Sequence, residues 1–247
     1  MQTPIFYKET ESTEWSSFED FISYANKHFN WVVLRNFEYL PDNFFGNDKD
    51  VDILCNDFPN FIQSMKLKKR SYGTAAYFTT IDFKIVHFDV RFLGDGYYDK
   101  LWEYQILSNK VYTDKGVPRP DDLNYFYSLL YHAKIQKNFF NPNYMKRILA
   151  LSKIIGEKKI KLEDLDNDSY LANLLSLFMI KNQYYYTSPL DINVGKNKRF
   201  LRKMSKVVLK GEISNITGKV RFISILLKVL VFITPVYLRK LLKKYFK

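Results

Sequence analysis

Two periods divide this chain. Up to about residue 116 short apolar runs and strict apolar–polar alternation dominate; beyond it apolar residues recur every three or four positions. Phe18, Phe21, Ile22 and Ala25 already show the helical period, and Ser16 or Ser17 can cap a helix running to about His28, with Glu19 placed for a capping box. Trp31-Val32-Val33-Leu34 is a near-continuous apolar run, as in a strand buried on both faces. A loop from Glu38 to Asn47, containing Pro41 and Gly46, leads to a second strand at Val51–Leu54. Phe58–Leu67 reads as a helix with Phe61, Ile62 and Met65 on one face, and Lys66, Lys68, Lys69 and Arg70 most simply as its solvated, dipole-complementing end, a grip on donor phosphate being the less favoured alternative. A strand starting at Tyr72 and the strand Lys84–Phe92 are expected to form a hairpin turning near Ile81 and Asp82. After a glycine-flanked loop, Gly94–Tyr98, comes a short helix from Leu101 to Ser108. Val117-Pro118-Arg119-Pro120 then stops regular structure, and Asp121 caps the next helix. Leu123–Lys137, Asn143–Gly156 and Leu162–Asn182 form an all-helical unit, with Tyr184–Asp191 an aromatic loop whose default is core packing and whose alternative is stacking on a base or sugar. The expected class is α+β: a small mixed sheet flanked by helices over 1–116, a helical subdomain over 117–210, and a basic amphipathic tail over 211–247.

Charge changes this picture at one end only. Residues 195–247 carry 15 Lys and Arg against the single acid Glu212, which leaves 23 bases against 25 acids in the rest of the chain. The folded part is therefore near neutral, which argues against a nucleic-acid groove around a central site and for a tail that meets an anionic surface. Between its bases the tail runs Phe222–Pro235, largely apolar but broken by Lys228. A bilayer span needs ~20 apolar residues, and a central Lys costs roughly 2.5–3.5 kcal/mol on insertion scales. A helix lying in the interface, its bases toward lipid headgroups, suits this composition, the competing reading being a helix pair packed on the domain. The lone Cys55 excludes an internal disulfide and a cysteine-rich zinc site, and three scattered His argue against a histidine-based one. Met1-Gln2-Thr3-Pro4 lacks a basic region and an apolar stretch, so a cytoplasmic location, peripheral to the membrane's inner face, is expected.

The candidate chemistry lies in the first half. In Asp50-Val51-Asp52-Ile53 the two carboxylates share one strand face and the two aliphatics the other. An isolated Asp-x-Asp is ordinarily a solvated strand end. Here a second alternating segment comes later, Val86-His87-Phe88-Asp89-Val90-Arg91-Phe92, with His87, Asp89 and Arg91 on one face. Three carboxylates on neighbouring strands repel one another unless a cation compensates them. Mg²⁺ takes one or two carboxylates together with substrate phosphates, and two such ions can clamp an in-line displacement at phosphorus. Arg91 beside the carboxylates would balance charge or hold phosphate. On the later helix His132 reads as a buried, satisfied histidine and Lys134 as a phosphate contact.

A strand, a linker, Asp-hydrophobic-Asp-hydrophobic and a later hydrophobic-Asp-hydrophobic strand resemble the nucleotidyltransferase superfamily, the DNA polymerase beta-like fold, over about residues 16–115. The resemblance implies that Asp50, Asp52 and Asp89 hold Mg²⁺ or Mn²⁺, with Asp89 also the general base, and that Arg35, Asn36, His87, Arg91 and Lys134 meet the substrate. One element departs. The family usually has Gly-Ser after its first strand, where this chain has Leu34-Arg35-Asn36-Phe37. Arg35 can grip phosphate by its guanidinium fork, and the expected donor becomes a nucleotide-activated sugar or polyol. Leu34-Arg35-Asn36-Phe37-Glu38 together with Leu129-Leu130-Tyr131-His132-Ala133-Lys134 is similar to bacterial proteins encoded with surface-polysaccharide genes. That likeness implies a phospho- or nucleotidyltransferase of capsule, O-antigen or teichoic-acid-like assembly, acting on a glycan or lipid-linked hydroxyl. The alternatives are a nucleotidyltransferase that modifies protein or RNA, as small toxin–antitoxin members do, and an inactive member that only binds nucleotide.

Overall fold

In the computed structural model the described residues are 12–42, 50–71, 73–137, 140–156 and 160–210. The basic tail 211–247 lies outside them. Helix α1 spans Phe18–His28 and is capped by Ser17, whose side chain accepts from the amide of Asp20. That makes Asp20 the third residue after the cap, so the capping box expected of Glu19 does not form. Strand β1 is Trp31–Val33 and β2 is Asp50–Cys55; helix α2, Phe58–Ser64, comes next. The basic run after α2 is not a frayed helix end. Lys66 takes a left-handed backbone and Lys68–Lys69 form β3, an edge strand, while the side chain of Arg70 reaches Asp50. Strands β4, Ala76–Ile81, and β5, Lys84–Phe92, make the expected hairpin; its two turn residues, Asp82 and Phe83, both have positive φ, as a two-residue turn requires.

The protein is of mixed α+β class, with a five-stranded sheet in the order β1-β2-β5-β4-β3. Only β2 and β5 run parallel, and they are the two central neighbours that carry the acidic positions. Alternation decides which face is which. Val51, Ile53, Phe88 and Val90 are buried under α1 and α2, where Phe88 stacks on Phe18 and Phe21, and Phe61 packs on Trp31. The opposite face carries the polar residues.

Helix α3 is Lys100–Ser108, capped by Asp99. The short strands β6, Val111–Tyr112, and β7, Pro118–Arg119, pair with each other, so the Pro-rich segment holds a small ladder where none was expected. Asp121 then caps helix α4, Asp122–Tyr131, as its spacing predicts. The helix does not continue as α to Lys137: residues His132–Gln136 widen into a π turn. Helices α5, Pro142–Ile154, and α6, Asp168–Lys181, come after it, the latter separated by Asn167 from a 3-10 turn at Leu162–Asp166. Two short helices, α7 at Lys198–Leu201 and α8 at Lys206–Leu209, close the described chain. One hydrophobic core runs from the sheet into these helices. Trp102 of α3 joins them, stacking on Tyr184 and meeting Tyr131 and Phe178 edge-on, so the Tyr184–Tyr186 loop serves packing. No helix of the described residues is long and apolar enough to cross a membrane.

Candidate active site

Strand pairing brings the three acids together. In the parallel β2–β5 register Asp52 lies opposite Asp89 and Asp50 opposite His87, so all four side chains leave the same face of the sheet. Asp50, Asp52 and Asp89 line one cleft of about 290 Å3, together with Arg35, Asn36 and Arg91. Arg35, at the end of β1, is buried and forms an ion pair with Asp52; its Nη1 donates to the Tyr97 hydroxyl at 3.0 Å. Asn36 has a left-handed backbone, and its side-chain oxygen accepts from Arg147 of α5. Arg91 lies 3.8 Å from Asp89 and 2.8 Å from Asp191, with its guanidinium 4.4 Å over the ring of Tyr97.

Two sequence candidates stand apart from the cleft lining. His87 is 3.8 Å from Asp50, beside the cleft rather than in it. Lys134 is turned away, donating to the carbonyl of Leu165 and to Asp168. On a helix, residues two apart point in roughly opposite directions, so Lys134 cannot share the cleft side with His132. His132 itself lines the cleft while remaining buried and hydrogen-bonded.

The remaining wall comes from residues that local pattern does not reveal. Arg70, 3.2 Å from Asp50, arrives from the end of β3. Tyr97 arrives from the Gly94–Tyr98 loop, Gln136 and Lys137 from the π turn, and Asp191 from the aromatic loop. Asp191 ties that loop to the sheet: it accepts from the amide of Ala75 at 3.0 Å as well as pairing with Arg91. The Gly94–Tyr98 loop is itself braced by buried Glu103, which accepts from the amides of Gly94 at 2.6 Å and Tyr98 at 3.1 Å. Of these positions only Tyr97 was marked in sequence, by the glycines of its loop.

Burial sets the electrostatics. The Asp52 carboxyl is pushed up to about 6 because desolvation outweighs the attraction of Arg35, with Asp89 and Asp50 adding repulsion. Asp89 is also raised, first by burial, against the pull of Arg91. His132 is held well below the usual imidazole range by burial and by Arg35, so it stays neutral. The Nε atoms of Arg35 and Arg91 are buried with no hydrogen-bond partner among the described residues.

The donor set is one of hard oxygens, which suits Mg²⁺ or Mn²⁺ in kind. Asp50 and Asp89 keep about a third of their side chains exposed, with side-chain exposures of 31% and 30%. Asp52 has one oxygen held by Arg35. Among the described residues no group of three or more His, Cys, Asp or Glu is arranged to enclose a cation. Mg²⁺ is a cation that takes only one or two carboxylates and completes its shell with water and substrate phosphates, so these two partly exposed carboxylates are compatible with it in number. Arg35, Arg70, Arg91 and Lys137 lie beside four carboxylates in the cleft, and the three arginines are paired with them. Compared with protein-family models, with curated proteins and with solved structures, the chain matches none.

Proposed function

We propose that this protein is a metal-dependent phospho- or nucleotidyltransferase that takes a nucleotide-activated sugar or polyol donor and acts on a glycan or lipid-linked hydroxyl in surface-polysaccharide assembly, as the resemblance to nucleotidyltransferases implies. The observation that carries the reading is the register of Asp52 with Asp89 on neighbouring parallel strands, with Asp50 on the same face. It supports a shared phosphate-handling site at the centre of the sheet. Asp50 and Asp89 would hold Mg²⁺ or Mn²⁺, and the bound ion supplies charge neutralisation for the donor phosphates. Arg91 and Arg70 line the same cleft and would take the charge that develops on phosphorus-bound oxygens. Asp89, whose proton affinity is raised, is the candidate base for the acceptor hydroxyl. Arg35 keeps Asp52 ionised and in place.

The test is incubation with CDP-, UDP- and unsubstituted nucleotides plus Mg²⁺, reading the released nucleotide by mass. Monophosphate, diphosphate or pyrophosphate as product identifies the bond broken. Asp89→Asn is expected to abolish release, and release unchanged in that variant removes the catalytic assignment. The buried pair between Arg35 and Asp52 also favours a second reading, a nucleotide-binding protein without transfer, because it withdraws one carboxylate from metal binding. Nucleotide binding with no product from any donor, with Mg²⁺ or Mn²⁺ present, would select that reading.

A further inference from the structure

Tyr97, His132 and Gln136 form a set of hydrogen bonds whose donors and acceptors can be assigned one by one. Gln136 Nε2 donates to the main-chain carbonyl of Tyr97 at 2.9 Å. A carbonyl only accepts, so it determines which end of the amide faces it. Gln136 Oε1 is thereby turned to His132 Nδ1, 2.9 Å away. An amide oxygen also only accepts, so Nδ1 carries the imidazole proton and Nε2 the lone pair. The Tyr97 hydroxyl lies 3.0 Å from that same Nδ1 and receives Arg35 Nη1 at 3.0 Å. The single Nδ1 hydrogen is committed to Gln136 Oε1, so Nδ1 offers the hydroxyl no lone pair, while Arg35 donates to the phenol oxygen; the phenol's own hydrogen must be directed elsewhere. No acceptor for it is found among the described residues. Tyr97 is 3% exposed and lines the cleft, with Arg91 over its ring. A buried donor with no partner is costly, and an oxygen of a ligand in the cleft would remove that cost.

We propose that Tyr97 is a ligand-binding residue whose hydroxyl donates to a phosphate oxygen of the substrate, and that His132 and Gln136 are positioning residues that force the hydroxyl into the donor role by fixing the imidazole tautomer. This rests on the reading of the cleft as a phosphate site. The ligand class is a phosphate or diphosphate ester, whose charged oxygen strengthens the bond. The wide turn at His132–Gln136 has a purpose on this account: it brings His132 to the Tyr97 hydroxyl and Gln136 to the Tyr97 carbonyl, at a kind of turn frequent at functional sites.

The experiment is titration calorimetry of the full chain with inorganic pyrophosphate, without metal ion, for wild type, Tyr97→Phe and Gln136→Met. Loss of one hydrogen bond to a charged oxygen is expected to weaken binding roughly tenfold in Tyr97→Phe. Gln136→Met leaves Tyr97 in place but releases Nδ1 from its proton, letting the hydroxyl donate to the imidazole; a similar loss is expected. Nitrogen chemical shifts of the three histidines give the independent readout, with His132 expected as the Nδ1–H form in wild type and displaced from it in Gln136→Met. Pyrophosphate bound equally by all three proteins, or His132 found as the Nε2–H form, overturns this proposal and leaves the phosphate site standing. Failure of the wild type to bind pyrophosphate both without metal ion and with Mg²⁺ present overturns both.

Discussion

Asp52 is the residue on which site and stability pull in opposite directions. Its folded-state carboxyl titrates near 6, above the 3.8 of an unperturbed aspartate. The folded protein therefore binds more protons than the unfolded chain between about pH 4 and pH 6, and stability contributed by this group falls as pH rises through that window. Asp52→Asn removes the titration, so its stability is expected to fall less steeply than wild type's over that range, read as urea midpoints at pH 4.5 and pH 6.5. Arg35 is the counterpart. Arg35→Met would leave a mostly buried carboxylate without its cation. The expected cost is about 3 kcal/mol, the low end for a broken buried pair, because Asp52 can escape part of it by taking up a proton. Denaturant unfolding at pH 8 measures it. At this scale the sequence carried the three acids and Arg91 plainly, since alternation alone assigns a strand residue to a face. It did not carry Arg70 or Asp191. Their roles come from strand ends and loops that meet only after pairing, and a basic run after a helix reads locally as solvated whatever one of its members later touches.

The π turn and the loop ending at Gly195 act as one element. A Cβ at Gly195 would lie 2.5 Å from the carbonyl oxygen of Gln136, closer than carbon and oxygen approach without contact, and the amide of Asn197 donates to the carbonyl of Ile135 at 2.7 Å. The loop is thus laid directly on the main chain of the turn. Gly195→Ala must push the two apart. Overpacking of this kind costs about 1–3 kcal/mol, and a shift in melting temperature measures it. The same displacement moves Gln136, so pyrophosphate affinity is expected to fall with stability, whereas a substitution at half-buried Gly116, where nothing crowds a Cβ, changes neither the cleft nor its affinity. The helical period alone predicts one helix over Leu123–Lys137, and Leu123–Tyr131 lie in one. The widening was not legible because it comes from tertiary demand: His132 and Gln136 both bond to a loop from the other half of the chain. The Pro118–Arg119 strand was hidden for the complementary reason, since two prolines argue against a strand unless the ladder is short and at an edge.

Across the whole molecule, charge is segregated from chemistry. Eight of the 15 bases beyond Gly195 fall in residues 211–247, outside the described fold, interleaved with the apolar stretch Phe222–Pro235. The other seven lie on or beside α7 and α8, far in sequence from the acid-bearing strands β2 and β5. If a lipid-linked acceptor is the substrate, this distribution has a use. Bases near an anionic leaflet contribute about 1 kcal/mol each, while the near-neutral remainder is neither drawn to the surface nor repelled from it. The full chain is therefore expected to float with phosphatidylglycerol-containing vesicles at physiological salt. Raising salt tenfold contracts the screening length to roughly 3 Å and should release most of it, the remainder being held by apolar insertion. A chain ending at Lys210 keeps the core and seven of the bases but loses the apolar stretch. It should float weakly at low salt and not at all at physiological salt. Equal flotation of the two chains, or of the full chain on neutral and anionic vesicles, would remove the membrane from the account, and the acceptor of the proposed transfer would have to be sought in solution.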